Sequence, residues 1–242
     1  MNAPLSTLLA AAVLAAGIAV GGWFVADGLR EARTGDRFVT VKGLAEREVK
    51  ADLALWPMRF VATSNALDEA QAKSRADAEA IVAFLTEAGI GRDEIAVQSL
   101  EVTDLLAQAY RSGPVESRFI VTQTLMVRSR DVDRIASASQ RLGDLVARGV
   151  VLSGEGPATG PAFVFTGLNA IKPDMIAEAT RDARAAGEQF AADSGSRLGG
   201  IRSASQGLFQ ILPRDAAPGE TESRQINKTV RVVGTIEYAL VR

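Results

Sequence analysis

A chain of 242 residues, 47% apolar and 23% charged, has ordinary globular composition and is long enough for one large domain or two small ones. A net charge of −2 without any Lys/Arg cluster or aromatic-basic interleaving excludes a nucleic-acid binder, which carries a basic face or stripe. The chain has no Cys and no His. Disulfides, thiol nucleophiles and thiolate metal sites are therefore ruled out, as are Ser-His-Asp and Cys-His machinery, the usual neutral-pH base and the commonest transition-metal ligand.

From Ala3 to Ala26 no residue is charged, and Leu8 to Val25 is almost wholly apolar. About 20 such residues span a bilayer. Trp23 and Phe24 stand where interfacial aromatics belong, and Gly17, Gly21 and Gly22 resemble a small-residue packing face. The segment reads as an uncleaved transmembrane anchor over residues 1–26, in contact with the membrane through residues 3–26. A cleaved signal peptide is the alternative, but residues 1–7 hold no Lys or Arg and Phe24 occupies the −3 position relative to Ala26. A buried soluble helix is the third reading and would need a core on every side. Arg30 and Arg33 follow, and the positive-inside rule alone would keep them in the cytoplasm.

Residues 27–37 read as a polar tether, and 38–242 as the folded domain. Phe38–Val41 and Val49–Ala62 are predicted strands. A helix is predicted over Leu67–Ala88, with Leu67, Ala70, Ser74, Ala78, Ile81 and Leu85 inward, Asn65 as N-cap and Gly89 as the stop. Ile95–Leu106 and Ser117–Arg128 follow as a hairpin across the long loop Ala107–Glu116. The second helix is predicted over Val132–Ala147, with Val132, Ile135, Ser139, Leu142 and Val146 inward and Gly149 as terminator. Val150–Ser153 and Ala162–Thr166 are strand-like. A third helix is predicted from Pro173, with Ile176, Ala179, Ala183, Ala186 and Phe190 inward. Ile201–Leu212 and Ile226–Val241 close the chain as strands around a polar loop, Pro213–Arg224.

The order suggests a β-α-β-β unit used twice, over residues 49–128 and 162–241. The predicted fold class is thus α+β, with antiparallel sheets and helices on one face, preceded by one N-terminal transmembrane helix.

No motif carries readable chemistry. The Gly154–Pro161 run is interrupted by two prolines and leads into a strand, not a helix, so it reads as a kinked connection and not a phosphate loop. Glu46 and Glu48 fall on one strand face near Asp52. A solvated face is the simpler reading than a glycosidase pair, and no calcium-type oxygen cluster exists. Asp93-Glu94 reads as a turn, and Asn227-Lys228-Thr229 as a bare glycosylation sequon. Trp56 beside Pro57 reads either as a core Trp at a strand irregularity or as an exposed edge for subunit pairing. No catalytic, cofactor-binding or metal-binding residue is assigned.

Three stretches carry a resemblance to the SIMPL-domain family of bacterial envelope proteins. They are Val39-Thr40-Val41-Lys42-Gly43 with Val49-Lys50-Ala51-Asp52-Leu53-Ala54; Gly89-Ile90 with Asp93-Glu94-Ile95; and Glu178-Ala179 with Ala183-Arg184-Ala185, running on to Leu198-Gly199-Gly200-Ile201. The chain departs from the pattern at Ala51, in place of Pro, and at Arg118-Phe119, in place of Gly-Tyr. The resemblance implies an envelope location, homo-oligomers of α+β subunits, links to stress tolerance and no established catalytic residues. The combined expectation is a non-enzymatic, cofactor-free protein, single-pass in the inner membrane with its domain in the periplasm. It would self-associate and support envelope or oxidative-stress defence. An accessory module that binds a membrane partner protein through loops 107–116 and 213–224 is the alternative, and a carboxylate-dependent hydrolase trails both.

Overall fold

The computed structural model describes residues 5–34, 37–107, 116–153 and 160–241. They form an α+β protein of antiparallel sheets and several helices in two compact units. The first unit comprises Met1–Ala45, Asp174–Phe209 and Val232–Arg242; the second comprises Glu46–Pro173 and Gln210–Arg231.

Helix α1 runs from Leu5 to Thr34. Every described side chain on it, over residues 12–28, is exposed, Val13, Ile18, Trp23 and Phe24 among them. Among the described residues no helix is long and apolar enough to cross a membrane.

One sheet sets β1 (Phe38–Lys50) and β6 (Arg197–Gln206) on either side of β8 (Asn227–Val241); the first unit holds most of it, with residues 174–193 of α5 (Leu168–Asp193) as its helix. The core is small: Val41, Ala183, Ile236 and Tyr238, with Val39, Ala186 and Leu198 against them. Its spacing is set by Gly43 of β1, which lies against the α5 backbone at Ala179 and Ala183. Leu44 N donates to Asp182 Oδ2 at 2.9 Å and fixes the same crossing. The buried face of α5 is accordingly Met175, Ala179, Ala183, Gly187 and Ala191, at spacings of four. This corrects the predicted stripe. Phe190 and Ile176 are both exposed, because at the close approach, around Ala179 and Ala183, the helix has room only for small side chains. The helix also begins at Leu168, so Pro173 lies inside it and not at its first position.

In the second unit the sheet order is β3-β4-β2-β5, from Ile95–Asp104, Phe119–Ser129, Leu53–Ser64 and Ala162–Val164. Alternation puts Trp56, Met58, Phe60 and Ala62 on one face of β2, and all four are buried. Helix α2 (Leu67–Glu87) covers that face with Ile81, Phe84 and Leu85, and α3 (Val132–Ser139) adds Ile135. Each fully buried large side chain of this kind contributes about 1.5–3 kcal/mol. Trp56 is therefore a core residue. The edge reading fails for it because β2 is central, paired with β4 along its length and with β5 at its start. Pro57 falls between the β5-paired stretch and the stretch where Val61 N donates to Val151 O, so its missing N–H breaks no ladder bond.

Other boundaries differ from expectation for local reasons. The predicted strand Val49–Ala62 is cut at Ala51-Asp52, where Ala51 N donates to Ile226 O and Asp52 N to Val164 O. Asn65 does not cap α2; its Oδ1 accepts from Arg118 N, while Ser64 Oγ accepts from Ala66 N. Leu67 is exposed and Phe84 takes its place in the core. Gly89 and Gly149 terminate their helices at φ +83°. The predicted helix Val132–Ala147 is two pieces, α3 and α4 (Gly143–Ala147). Arg141 N bonds Ala138 O, an i→i+3 link that tightens the winding, so Leu145 turns inward and Val146 outward. The strand expected over Ile201–Leu212 breaks at Gly207 into β6 and β7 (Gln210–Pro213).

The duplication is visible in part. The order β2-β4-β3 around α2 has its counterpart in β1-β8-β6 with α5. The strand leading the second copy, β5, pairs instead with β2.

Candidate functional site

A cavity of about 540 Å³ lies in the second unit. Its walls come from α3, from the stretch Gly160–Phe163 and from the β7–β8 loop. Phe163 and Ile226 give it an apolar floor. Among the described residues the side chains of Gln140, Arg224 and Asn227 reach it without a polar partner. The loop wall is braced. Asp215 N donates to Gln225 Oε1 at 3.0 Å, and Gln225 Nε2 donates back to Asp215 O at 2.7 Å. Arg214 pairs with Asp215 at 2.8 Å; its hydrogen bond holds the carboxyl below the ordinary carboxylate range and raises the guanidinium.

Lys228 anchors the loop from beneath. It is fully buried, and its Nζ bonds Glu222 O at 2.6 Å and pairs with the Glu222 carboxylate. Sequence reading passed over Lys228 as part of a sequon. A Lys two positions before Val230 in an alternating apolar run is the signal that could have marked it as inward-facing.

A second cavity, about 310 Å³, is lined by Asp52, Glu94, Arg128, Arg130 and Thr166. Both carboxylates here are committed to backbone. Asp52 accepts from Thr166 N at 2.8 Å and from Thr166 Oγ1 at 2.9 Å, and Glu94 accepts from Gly91 N at 3.0 Å. Asp93-Glu94 does form the expected turn, a 3-10 segment from Arg92 to Glu94.

The carboxylates singled out in the sequence do not assemble into a reactive pair. Glu46 and Glu48 are exposed on one face of β1, as alternation predicts, and Glu46 pairs with Arg231. Among the described residues no group of acidic side chains could hold a metal ion. The only hydroxyl among the described residues lining the larger cavity, Ser139 Oγ, donates to Ala136 O. What this groove offers is recognition chemistry: amide and guanidinium donors over an apolar floor. The Gly154–Pro161 run is outside the described residues up to Thr159, and the 107–116 loop over residues 108–115. One polar atom stands out in the core: Asp77 is buried, with Lys73 on Oδ1 and no partner on Oδ2 among the described residues.

A family model described as SIMPL, protein of unknown function (DUF541), matches residues 39–236. The chain belongs to the SIMPL family. No curated protein matches it.

The SIMPL-like stretches do architectural work here. Gly43 admits α5, and Asp52 clamps the end of β5 through Thr166. Gly199 admits the Ala239 backbone, since a Cβ there would sit 3.0 Å from Ala239 O. At the departure point, Arg118 forms a two-pronged ion pair with Asp104, and its guanidinium lies 4.7 Å over the Phe119 ring.

Proposed function

We propose that this SIMPL protein is a membrane-anchored, self-associating envelope protein that acts by assembly and not by catalysis, in support of envelope or oxidative-stress defence. In this reading the uncharged run Ala3–Ala26, whose side chains are described only from residue 12 on, is a single-pass inner-membrane anchor, and the folded part lies in the periplasm. The observation that carries it is the exposure of every described side chain of α1, with Val13, Leu14 and Ile18 each about 70% exposed. Apolar surface in water costs roughly 25 cal/mol per Å², and a helix apolar on all sides is accommodated by lipid. The uncharged run Ala3–Ala26 supports the same assignment. Tethering would raise the local concentration of copies and favour assembly. The test is to extract membranes carrying the full chain with alkaline carbonate, beside a chain starting at Glu31. The full chain should stay with the membrane and the shortened one should not. Release of both would sink the anchor.

A second reading rests on the groove: the chain serves as a binding module for a membrane partner protein, with the loop over residues 213–224 as its contact surface. The loop's bracing by Gln225 and Lys228 supports it, since a pre-ordered wall lowers the entropic cost of docking. Replacing Ala216–Thr221 with a Gly-Ser linker should then deplete a co-purifying protein. An unchanged set of co-purified proteins would remove this reading.

A further inference from the structure

Strand β3 ends the second unit's sheet, with β4 on one side of it and no described strand on the other. Sheets protect such edges with charge, proline or a covering element. Between Ile95 and Thr103, β3 has no Pro and one charged residue, Glu101, and its irregularity lies near its start, between Val97 and Ser99. The strand is also two-faced. Ser99, Glu101 and Thr103 lie on one side. Val97, Leu100 and Val102 lie on the side that α2 covers over β2 and β4, yet they remain 65%, 56% and 44% exposed.

An occupant must bring an apolar row on that side and polar groups on the other. A second β3 does this by symmetry, because a two-fold axis perpendicular to the sheet returns each residue to its own face. Charge and chemistry then select the register. Centred on Glu101, the axis opposes two carboxylates, which is destabilising. Centred on Val102, it sets Leu100 against Asp104 and its Arg118 partner. Centred on Leu100, it faces Leu100 with Leu100, sets each Val102 opposite the uncharged Gln98 of the mate, and sets Glu101 opposite Ser99, so that no two carboxylates meet.

We propose that two copies of the chain pair antiparallel through β3 about an axis at Leu100, continuing one sheet into the other. This rests on the self-association reading and names its surface. Because the chain has no Cys, Leu100→Cys introduces a single thiol, at the proposed axis. The full chain in detergent should form a covalent dimer on mild oxidation at Leu100→Cys. Leu208→Cys, on the most exposed large apolar residue among those described, should not, and neither should Thr103→Cys, which the axis would hold roughly 20 Å from its mate. Leu100→Lys with Val102→Lys should lower the mass measured by light scattering, with the circular dichroism of the folded chain retained.

Equal cross-linking at all three cysteines, or an oligomer of unchanged mass in the double-lysine variant, would overturn the β3 interface and leave self-association standing. A wild-type chain that is monomeric at every concentration would overturn both. The cysteine series decides by itself if the double-lysine chain fails to fold.

Discussion

Gly43 and Ala183 approach so closely that a Cβ on the glycine would fall 2.6 Å from the Ala183 backbone nitrogen, and nearer still to the Ala179 carbonyl. Neither obstacle is a flexible side-chain tip, so the crossing of β1 and α5 cannot absorb a methyl group. Gly43→Ala should cost about 3 kcal/mol or more by overpacking and separate α5 from the strand. A thermal melt followed by circular dichroism checks this; a shift within about 2 °C of wild type would mean that the helix can slide aside.

The Lys228–Glu222 pair is asymmetric, with the cation fully buried and the carboxylate partly exposed. Glu222→Ala leaves the ammonium buried with only a carbonyl for company and should cost about 2–4 kcal/mol. Lys228→Met leaves a carboxylate that water can reach, and should cost under about 1.5 kcal/mol. Urea denaturation of both variants ranks them. The reverse order would show that the lysine stem, and not its charge, holds the loop.

Asp52 satisfies both the amide and the hydroxyl of Thr166. Thr166→Val removes one of the two hydrogen bonds to the carboxylate and should cost about 1.5 kcal/mol, whereas Asp52→Ala strands both donors and should cost about 2–3 kcal/mol. Hydrogen exchange at the Thr166 amide should quicken only in the second variant. Equal protection in both would show that the Val164–Asp52 backbone bond suffices.

The Asp104 carboxyl is held below its ordinary range by its hydrogen bond from Arg118. A depressed folded value means the pair stabilises above the unfolded carboxyl pKa of about 3.9 and loses that contribution as pH falls through the folded value. Arg118→Met should therefore lower the urea midpoint at pH 7, and the gap to wild type should close on acidification below about pH 4. The pair is partly exposed, so the gap should be small and shrink with added salt. A gap that persists at low pH would assign the effect to Arg118 stacking on Phe119.

What the sequence made legible follows from where its signals are local. Helix α2 was readable because its apolar positions recur with helical period and Gly89 supplies a positive-φ stop. The face of α5 is not legible from helical spacing alone, because Ile176 and Phe190 fit the period as well as the small residues do. With Gly43 fixing a close approach, Ala and Gly go inward and Phe190 goes outward. The break after Ser139 rests on a single tightened turn, which periodicity across the whole segment averages away. The groove was hidden for a different reason. Its walls come from α3, the approach to β5 and the β7–β8 loop, stretches with no common sequence pattern that only the tertiary fold brings together.

Strand β1 finds its partner in β8, with Leu240 N donating to Arg37 O. These strands come from opposite ends of the described chain, so their pairing carries a large loop-closure entropy and belongs late in folding. During synthesis, the first unit cannot close its sheet until the residues of β8 have left the ribosome. By then α1 has long since emerged. The order of events is built into the topology: the apolar helix meets its surroundings while everything that follows it is still unfinished.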